Sequence, residues 1–115
     1  MSKILIVGGG PVGAGLAVGL VREGIPVNLI DKKSEIPTFF KASTIHPPTM
    51  EILEEWGIID QALKIGKVFD RIQYWNKATG ELIAEFDLNL LKEHTKYPFR
   101  LHFDQQFLTK FFHDY

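Results

Sequence analysis

Three glycines at fixed spacing, Gly8-x-Gly10-x-x-Gly13, sit between a short apolar run and a long uncharged stretch. This pattern limits the fold more than any other feature of the chain. The run Lys3-Ile-Leu-Ile-Val7 predicts a strand buried on both faces, as in parallel sheets. Gly8 to Gly10 make the turn, and Pro11 suits the first helical position, where its missing N–H costs nothing. A helix is predicted to about Glu23. Val12, Leu16 and Leu20 form one stripe of it, Gly13 and Ala17 another, and Gly24 is its left-handed stop. Val27-Asn-Leu-Ile30 predicts a second strand that ends at Asp31. Strand, turn, helix and strand within about thirty residues make a βαβ unit.

Each glycine has its own task in such a turn. The first allows the tight exit from the strand. The second lets a pyrophosphate approach the backbone, and the third lets helix and strand pack closely. The helix N-terminus then favours negative charge. Asp31 lies about twenty residues further on, where a carboxylate can accept hydrogen bonds from an adenosine ribose. These positions predict a dinucleotide-binding unit over residues 1–31. A carboxylate at 31 disfavours the 2′-phosphate of NADP, although Lys32 and Lys33 partly offset its charge. The turn alone does not separate FAD from NAD.

The eighteen residues from Ile4 to Val21 carry no charge, a length that resembles a membrane span or a signal segment. Six of them are glycine and one is Pro11, which would break a spanning helix at its middle. We therefore expect no membrane partner. The composition is that of a globular chain, with 115 residues, 45% hydrophobic and 23% charged. A net charge of −1 gives no electrostatic reason to expect nucleic acid. With no cysteine, disulfides, thiolate metal sites and cysteine nucleophiles are excluded. A cytoplasmic setting is compatible with this.

Residues 32–46 read as a loop. Pro47-Pro48 opens a helix carrying Met50, Leu53 and Trp56, which Gly57 ends, and a short helical turn reaches Ile65. An antiparallel hairpin is predicted over 67–88. Val68, Ile72 and Tyr74 share one face of its first strand, and Leu82, Ala84, Phe86 and Leu88 share one face of its second. Asn76–Gly80 form the turn. Residues 89–99 look irregular. Asp104 caps a last helix over 104–115, with Phe107, Leu108, Phe111, Phe112 and Tyr115 on its apolar side. The fold class is α/β, a Rossmann-like βαβ unit with an added hairpin. Two parallel strands cannot cover these apolar faces. We therefore expect an incomplete, truncated domain, or one that relies on a partner, with a homo-oligomer through exposed apolar surface as one option.

Three segments together resemble the flavoprotein aromatic hydroxylases, the family of p-hydroxybenzoate and phenol hydroxylases. They are Ile6-Val-Gly-Gly-Gly-Pro-Val-Gly13, Lys41-Ala-Ser-Thr-Ile-His-Pro-Pro-Thr-Met-Glu-Ile-Leu53 and Tyr97-Pro-Phe-Arg-Leu-His-Phe-Asp-Gln105. The second is the most specific, since simple NAD domains do not share it. The resemblance implies FAD as cofactor, NAD(P)H as electron donor and a small aromatic substrate in a complete relative. The cofactor-binding candidates are Gly8, Gly10, Pro11, Val12, Gly13, Asp31, Lys32, Lys41 and Gln105. Gly8, Gly10 and Gly13 would hold the pyrophosphate, Asp31 the ribose, and Lys32 would lie near the adenine. Lys41 would face the pyrophosphate, and Gln105 the ribityl chain or ring. Lysine at 41 departs from the family's usual arginine and loses its planar fork. The family's later Asp-Gly and Gly-Asp motifs have no counterpart here.

No residue reads as a catalytic acid or base. The histidines show no metal spacing, and Glu51, Glu54 and Glu55 read as a solvated helix face. Residues 1–115 are thus expected to be part of an FAD-binding domain, inactive as an isolated fragment. An NAD-dependent oxidoreductase domain and a non-catalytic nucleotide-binding module are the alternatives. The Lys41–Leu53 segment favours the hydroxylase reading over the second, and the short chain favours the third.

Overall fold

The computed structural model describes residues 3–115, so the first two positions of the 1–31 unit lie outside the described residues. The chain divides into two compact units, Met1–Ala42 with Asp104–Tyr115, and Ser43–Phe103.

In the first unit, strand β1 (Ile4–Val7) leads through the glycine turn into helix α1 (Pro11–Arg22), and the chain returns as β2 (Val27–Ile30). The strands pair in parallel, Ile4 with Val27 through Val7 with Ile30. α1 ends where Gly24 adopts φ +73°. There the Gly24 and Ile25 amides donate back to the carbonyls of Val21 and Leu20, each at 2.9 Å, a left-handed C-cap. Helix α4 (Gln105–Asp114) closes the unit. Its cap, Asp104, accepts from the Gln106 amide at 3.3 Å.

One expectation for this unit needs correction. β1 is not buried on both faces, because only Ile6 is enclosed and Val7 is 77% exposed. Burial on both sides needs a layer on each, and α1 supplies one. On α1, Val12 and Leu16 are exposed, and the buried residues are Ala14, Gly15 and Val18. The reason is close approach. A Cβ on Gly15 would lie 3.2 Å from the Phe112 ring of α4, so small side chains let the two helices meet. α4 is further tied by Arg22, which donates to the Tyr115 hydroxyl at 2.9 Å.

In the second unit, β3 (Thr44–Ile45) precedes α2 (Pro47–Glu55) and α3 (Ile59–Ile65). Gly57 stops α2 at φ +73°, with the Ile58 amide donating to Leu53 at 2.8 Å. β4 (Lys67–Phe69) and β3 both pair antiparallel with β7 (Arg100–His102), which makes a three-stranded sheet in the order β3-β7-β4. β5 (Arg71–Trp75) and β6 (Leu82–Asp87) form a separate antiparallel pair. Met50, Leu53 and Leu101 are the largest fully buried side chains, joined in the core by Ile45, Ile59 and Phe103.

The hairpin is thus shorter than the 67–88 expected. Its first strand starts at Arg71, residues 67–69 pair with β7, and Leu88 begins a 3-10 turn, Leu88–Leu91. Asp70 falls on the parity shared by Val68 and Ile72, where an apolar residue would continue the strand, and the pairing changes there. On one face of the hairpin Arg71 bridges Glu85 at 2.7 Å and Asp87 at 3.5 Å. No helix among the described residues is long and apolar enough to cross a membrane.

Gly66 packs against this core, since a Cβ there would sit 2.6 Å from Leu101 Cδ1 and 3.0 Å from the Ala62 carbonyl. Leu101→Ala should cost about 2–5 kcal/mol, and Gly66→Ala about 1–3 kcal/mol. The double variant should cost less than the sum, because removing the leucine makes room for the methyl. Urea unfolding of all four proteins checks this.

Candidate functional site

Within the first unit, the glycine turn, the end of β2 and the start of α4 surround a cleft of ≈ 170 Å³. It opens beyond the carboxyl ends of the parallel strands, where α/β sheets bind ligands. Gly10, Pro11, Asp31, Lys41 and Gln105 line it. Gly8 and Lys32 line an adjoining depression together with Asp31, which borders both. Gly13 lies beneath the turn. The Val12 side chain is 83% exposed and lines neither cavity.

The three glycines of the motif are required for different reasons. Gly8 has φ +110°, a conformation that side chains rarely adopt. At Gly13 a Cβ would lie 1.9 Å from the Gly8 carbonyl oxygen, so only glycine lets α1 come this close to the turn. Gly10 differs from both. Its φ is −71°, open to any residue, and among the described residues beyond its immediate chain neighbours nothing lies within 4 Å of the place a Cβ would take. The fold leaves that space empty beside the cleft. Gly10 is also the N-cap of α1, and no side chain caps the first-turn amides. Their donors, with the helix dipole, suit an anion.

Asp31 accepts from the Gly9 amide at 2.6 Å and from the Lys33 amide at 2.7 Å. These bonds, the Lys33 amide first and Gly9 second, hold its carboxyl below the usual carboxylate range, with the Lys33 and Lys32 charges adding to the effect. A carboxylate offers about four lone-pair directions. Asp31 therefore keeps acceptor capacity for a ligand hydroxyl.

Lys41 and Gln105 come from distant parts of the sequence and meet at one seam, where the Gln105 amide donates to the Ala42 carbonyl at 2.9 Å. The Lys41 ammonium lies 5.0 Å from the centre of the Phe39 ring, a cation–π contact.

Sequence reasoning missed several lining residues: Gly9, Lys33, Gln106, Thr109 and His113. Gln105, Thr109 and His113 recur every fourth residue and so share one helix face. That polar stripe was the available signal, and the aromatic residues of α4 overshadowed it.

Two outcomes are expected from the protein itself. Gly13→Ala should lose about 1–3 kcal/mol or more by overpacking against backbone. Gly10→Ala should stay within about 1 kcal/mol of the parent, the modest loss of a poorer N-cap. Thermal melts separate the two. Because the folded state lowers the Asp31 carboxyl, its stabilising effect is present at neutral pH and is lost as pH falls through the folded value. The Gly9 and Lys33 amide resonances should therefore titrate together, with a midpoint below that of an unstructured aspartate, about 3.9. A midpoint at or above that value would contradict the geometry.

Comparisons with known proteins agree with this architecture. The family model of the FAD binding domain matches residues 1–114. The 6-methylpretetramide 4-monooxygenase of Streptomyces rimosus is 33% identical over 103 residues, covering 90% of this chain and 18% of that protein. The para-nitrophenol 4-monooxygenase of Pseudomonas sp. strain WBC-3 is 31% identical over 101 residues, covering 88% of this chain and 25% of that protein. The crystal structure of p-nitrophenol 4-monooxygenase from Pseudomonas putida DLL-E4 superimposes with a TM-score of 0.90 at 29% identity, over 99% of this chain and 29% of that one. The chain thus spans 18% to 29% of the length of these proteins. It belongs to the FAD binding domain family, as the aromatic-hydroxylase resemblance implied, and its cofactor is FAD.

Proposed function

We propose that the cleft holds the ADP half of FAD, and that the chain is the FAD-binding part of a monooxygenase that hydroxylates a small aromatic substrate using NAD(P)H and O₂. The observation that carries this reading is Gly10. Its missing side chain is required neither by backbone conformation nor by packing, and a diphosphate beside it accounts for the glycine. Bound FAD supplies the redox chemistry that the protein side chains lack.

In this reading the Rossmann-like unit of residues 1–31 binds the nucleotide. Gly8 shapes the turn, and Gly10 and Pro11 border the diphosphate. The Val12 and Gly13 amides in the first turn of α1 donate to it. Val12 thus acts through its backbone, in keeping with its exposed side chain. Asp31 accepts from the ribose hydroxyls on lone pairs that the Gly9 and Lys33 amides leave open. Lys32 lies toward the adenine, and Lys41 balances phosphate charge as a point charge without a bidentate fork. Gln105, at the start of α4, approaches the ribityl chain or ring. A cleft of ≈ 170 Å³ is smaller than a complete small-molecule site, which suits one section of a long ligand.

The substrate class rests on the named activities of the relatives, para-nitrophenol 4-monooxygenase among them. A monooxygenase using NAD(P)H belongs in a reducing compartment, and we place it in the cytoplasm. The chain spans only 18% to 29% of the length of these relatives, and in this reading the stretch is inactive as a hydroxylase by itself.

Gly10→Ala should abolish or weaken FAD and ADP binding more than a hundredfold, because the methyl enters the diphosphate's space. Asp31→Ala should weaken both roughly tenfold through loss of hydrogen bonds to a charged acceptor. Flavin fluorescence titration and calorimetry with ADP read these changes. Affinity unchanged by Gly10→Ala would refute the site.

A further inference from the structure

We infer that His113, on the last turn of α4, is a positioning residue that sets the glycine turn for the nucleotide before any ligand arrives. The inference rests on the nucleotide reading of the cleft. His113 Nε2 lies 2.7 Å from the Gly9 carbonyl oxygen, across 104 residues of sequence. A carbonyl can only accept, so Nε2 carries the proton and donates. On the other side of the same residue, the Gly9 amide donates to Asp31 at 2.6 Å.

These two bonds act on different peptide planes. The Gly9 amide belongs to the plane shared with Gly8, and the Gly9 carbonyl to the plane shared with Gly10. Fixing both planes fixes the two dihedrals of Gly9. Without a side chain, Gly9 would otherwise be among the freest residues in the chain. The described residues contain no cis peptide. In a trans peptide the carbonyl and the following N–H point in opposite directions. The bond from His113 to the Gly9 carbonyl therefore also sets the direction of the Gly10 N–H, the donor at the N-cap of α1.

The approach is close enough to restrict residue 9. A Cβ on Gly9 would lie 3.3 Å from His113 Cε1 and 3.4 Å from the Asp31 Cβ, so Gly9 is glycine partly to admit this imidazole. The ring itself is held by a helix anchored elsewhere: Phe112 against Gly15, and Tyr115 bonded to Arg22. α4 thereby carries Gln105 at one end of the cleft and the clamp on the glycine turn at the other. A turn ordered in advance spares the ligand the cost of ordering it.

The test needs a donor that is not a histidine and a ring that is not a donor. His113→Gln keeps an N–H within reach of the carbonyl, and His113→Phe keeps the ring and loses the N–H. Calorimetry with ADP on the 115-residue chain should give a dissociation constant roughly 3- to 10-fold higher for His113→Phe, the worth of one hydrogen bond. His113→Gln should stay within about twofold of the parent. Amide hydrogen exchange at Gly9, whose N–H is bonded to Asp31, should accelerate in the phenylalanine variant alone. Equal losses in both variants would mean that the ring only packs, and would overturn the inference. So would no loss in either.

A measurement on the unmodified chain guards against misfolding of the variants. Long-range proton–nitrogen correlation should find the neutral His113 ring protonated at Nε2, and the Nδ1 form would overturn the clamp. Gly10→Ala separates the two levels of the proposal. If it abolishes ADP binding while His113→Phe changes nothing, only the role of His113 fails. If ADP does not bind the unmodified chain, the reading of the cleft itself fails.

Discussion

The first turn of α1 stands against the Gly8 carbonyl at a distance that excludes any side chain at residue 13. Everything in the cleft follows from that approach. It sets the end of the helix directly beyond the strand, with its free amides facing outward from the sheet edge. It brings Gly9 within reach of Asp31 at the end of β2. It also explains the small-residue face of α1, because a helix pressed onto the turn and onto α4 has room only for Ala14, Gly15 and Val18. Larger side chains are displaced to the outside, where Val12 and Leu16 are found.

The βαβ unit was legible because its information is local. A branched apolar run, three glycines, a proline and a left-handed stop specify strand, turn and helix without reference to distant residues. Helix α2 was legible for the same reason, from Pro47 at its start to Gly57 at its end. The sheet β3-β7-β4 was not. Its strands are two or three residues long, too short for alternation to register, and Ile45 meets Leu101 across nearly half the chain. Strand β4 joined the wrong partner in the sequence reading because Val68, Ile72 and Tyr74 share a parity. Asp70, on that parity, was the mark of the break.

The site was legible to the extent that spacing encodes it. Gly8, Gly10, Gly13 and Asp31 followed from the mechanics of a phosphate turn, and Lys41 and Gln105 from family resemblance. The polar stripe of α4 escaped notice because an amphipathic helix is read from its apolar side. Phe107, Phe111 and Phe112 drew attention to packing, while Gln105, Thr109 and His113 lay on the face that lines the cleft. In a nucleotide-binding fold the polar face of a covering helix deserves the reading first, since the apolar face only says where the helix rests.

Asp31 serves two demands, and they explain why this position holds an aspartate rather than a glutamate. Its carboxylate must receive the Lys33 amide two residues along the chain and the Gly9 amide across the sheet edge, at 2.7 and 2.6 Å. A short side chain keeps both oxygens near the strand end, where those amides converge. One more methylene would carry the carboxylate past Gly9, and the turn would lose its acidic anchor. The same two bonds favour the ionised group, so the negative charge at the end of β2 is fixed by the loop's own backbone. Negative charge at the strand end and order in the glycine turn are then one property of a single carboxylate.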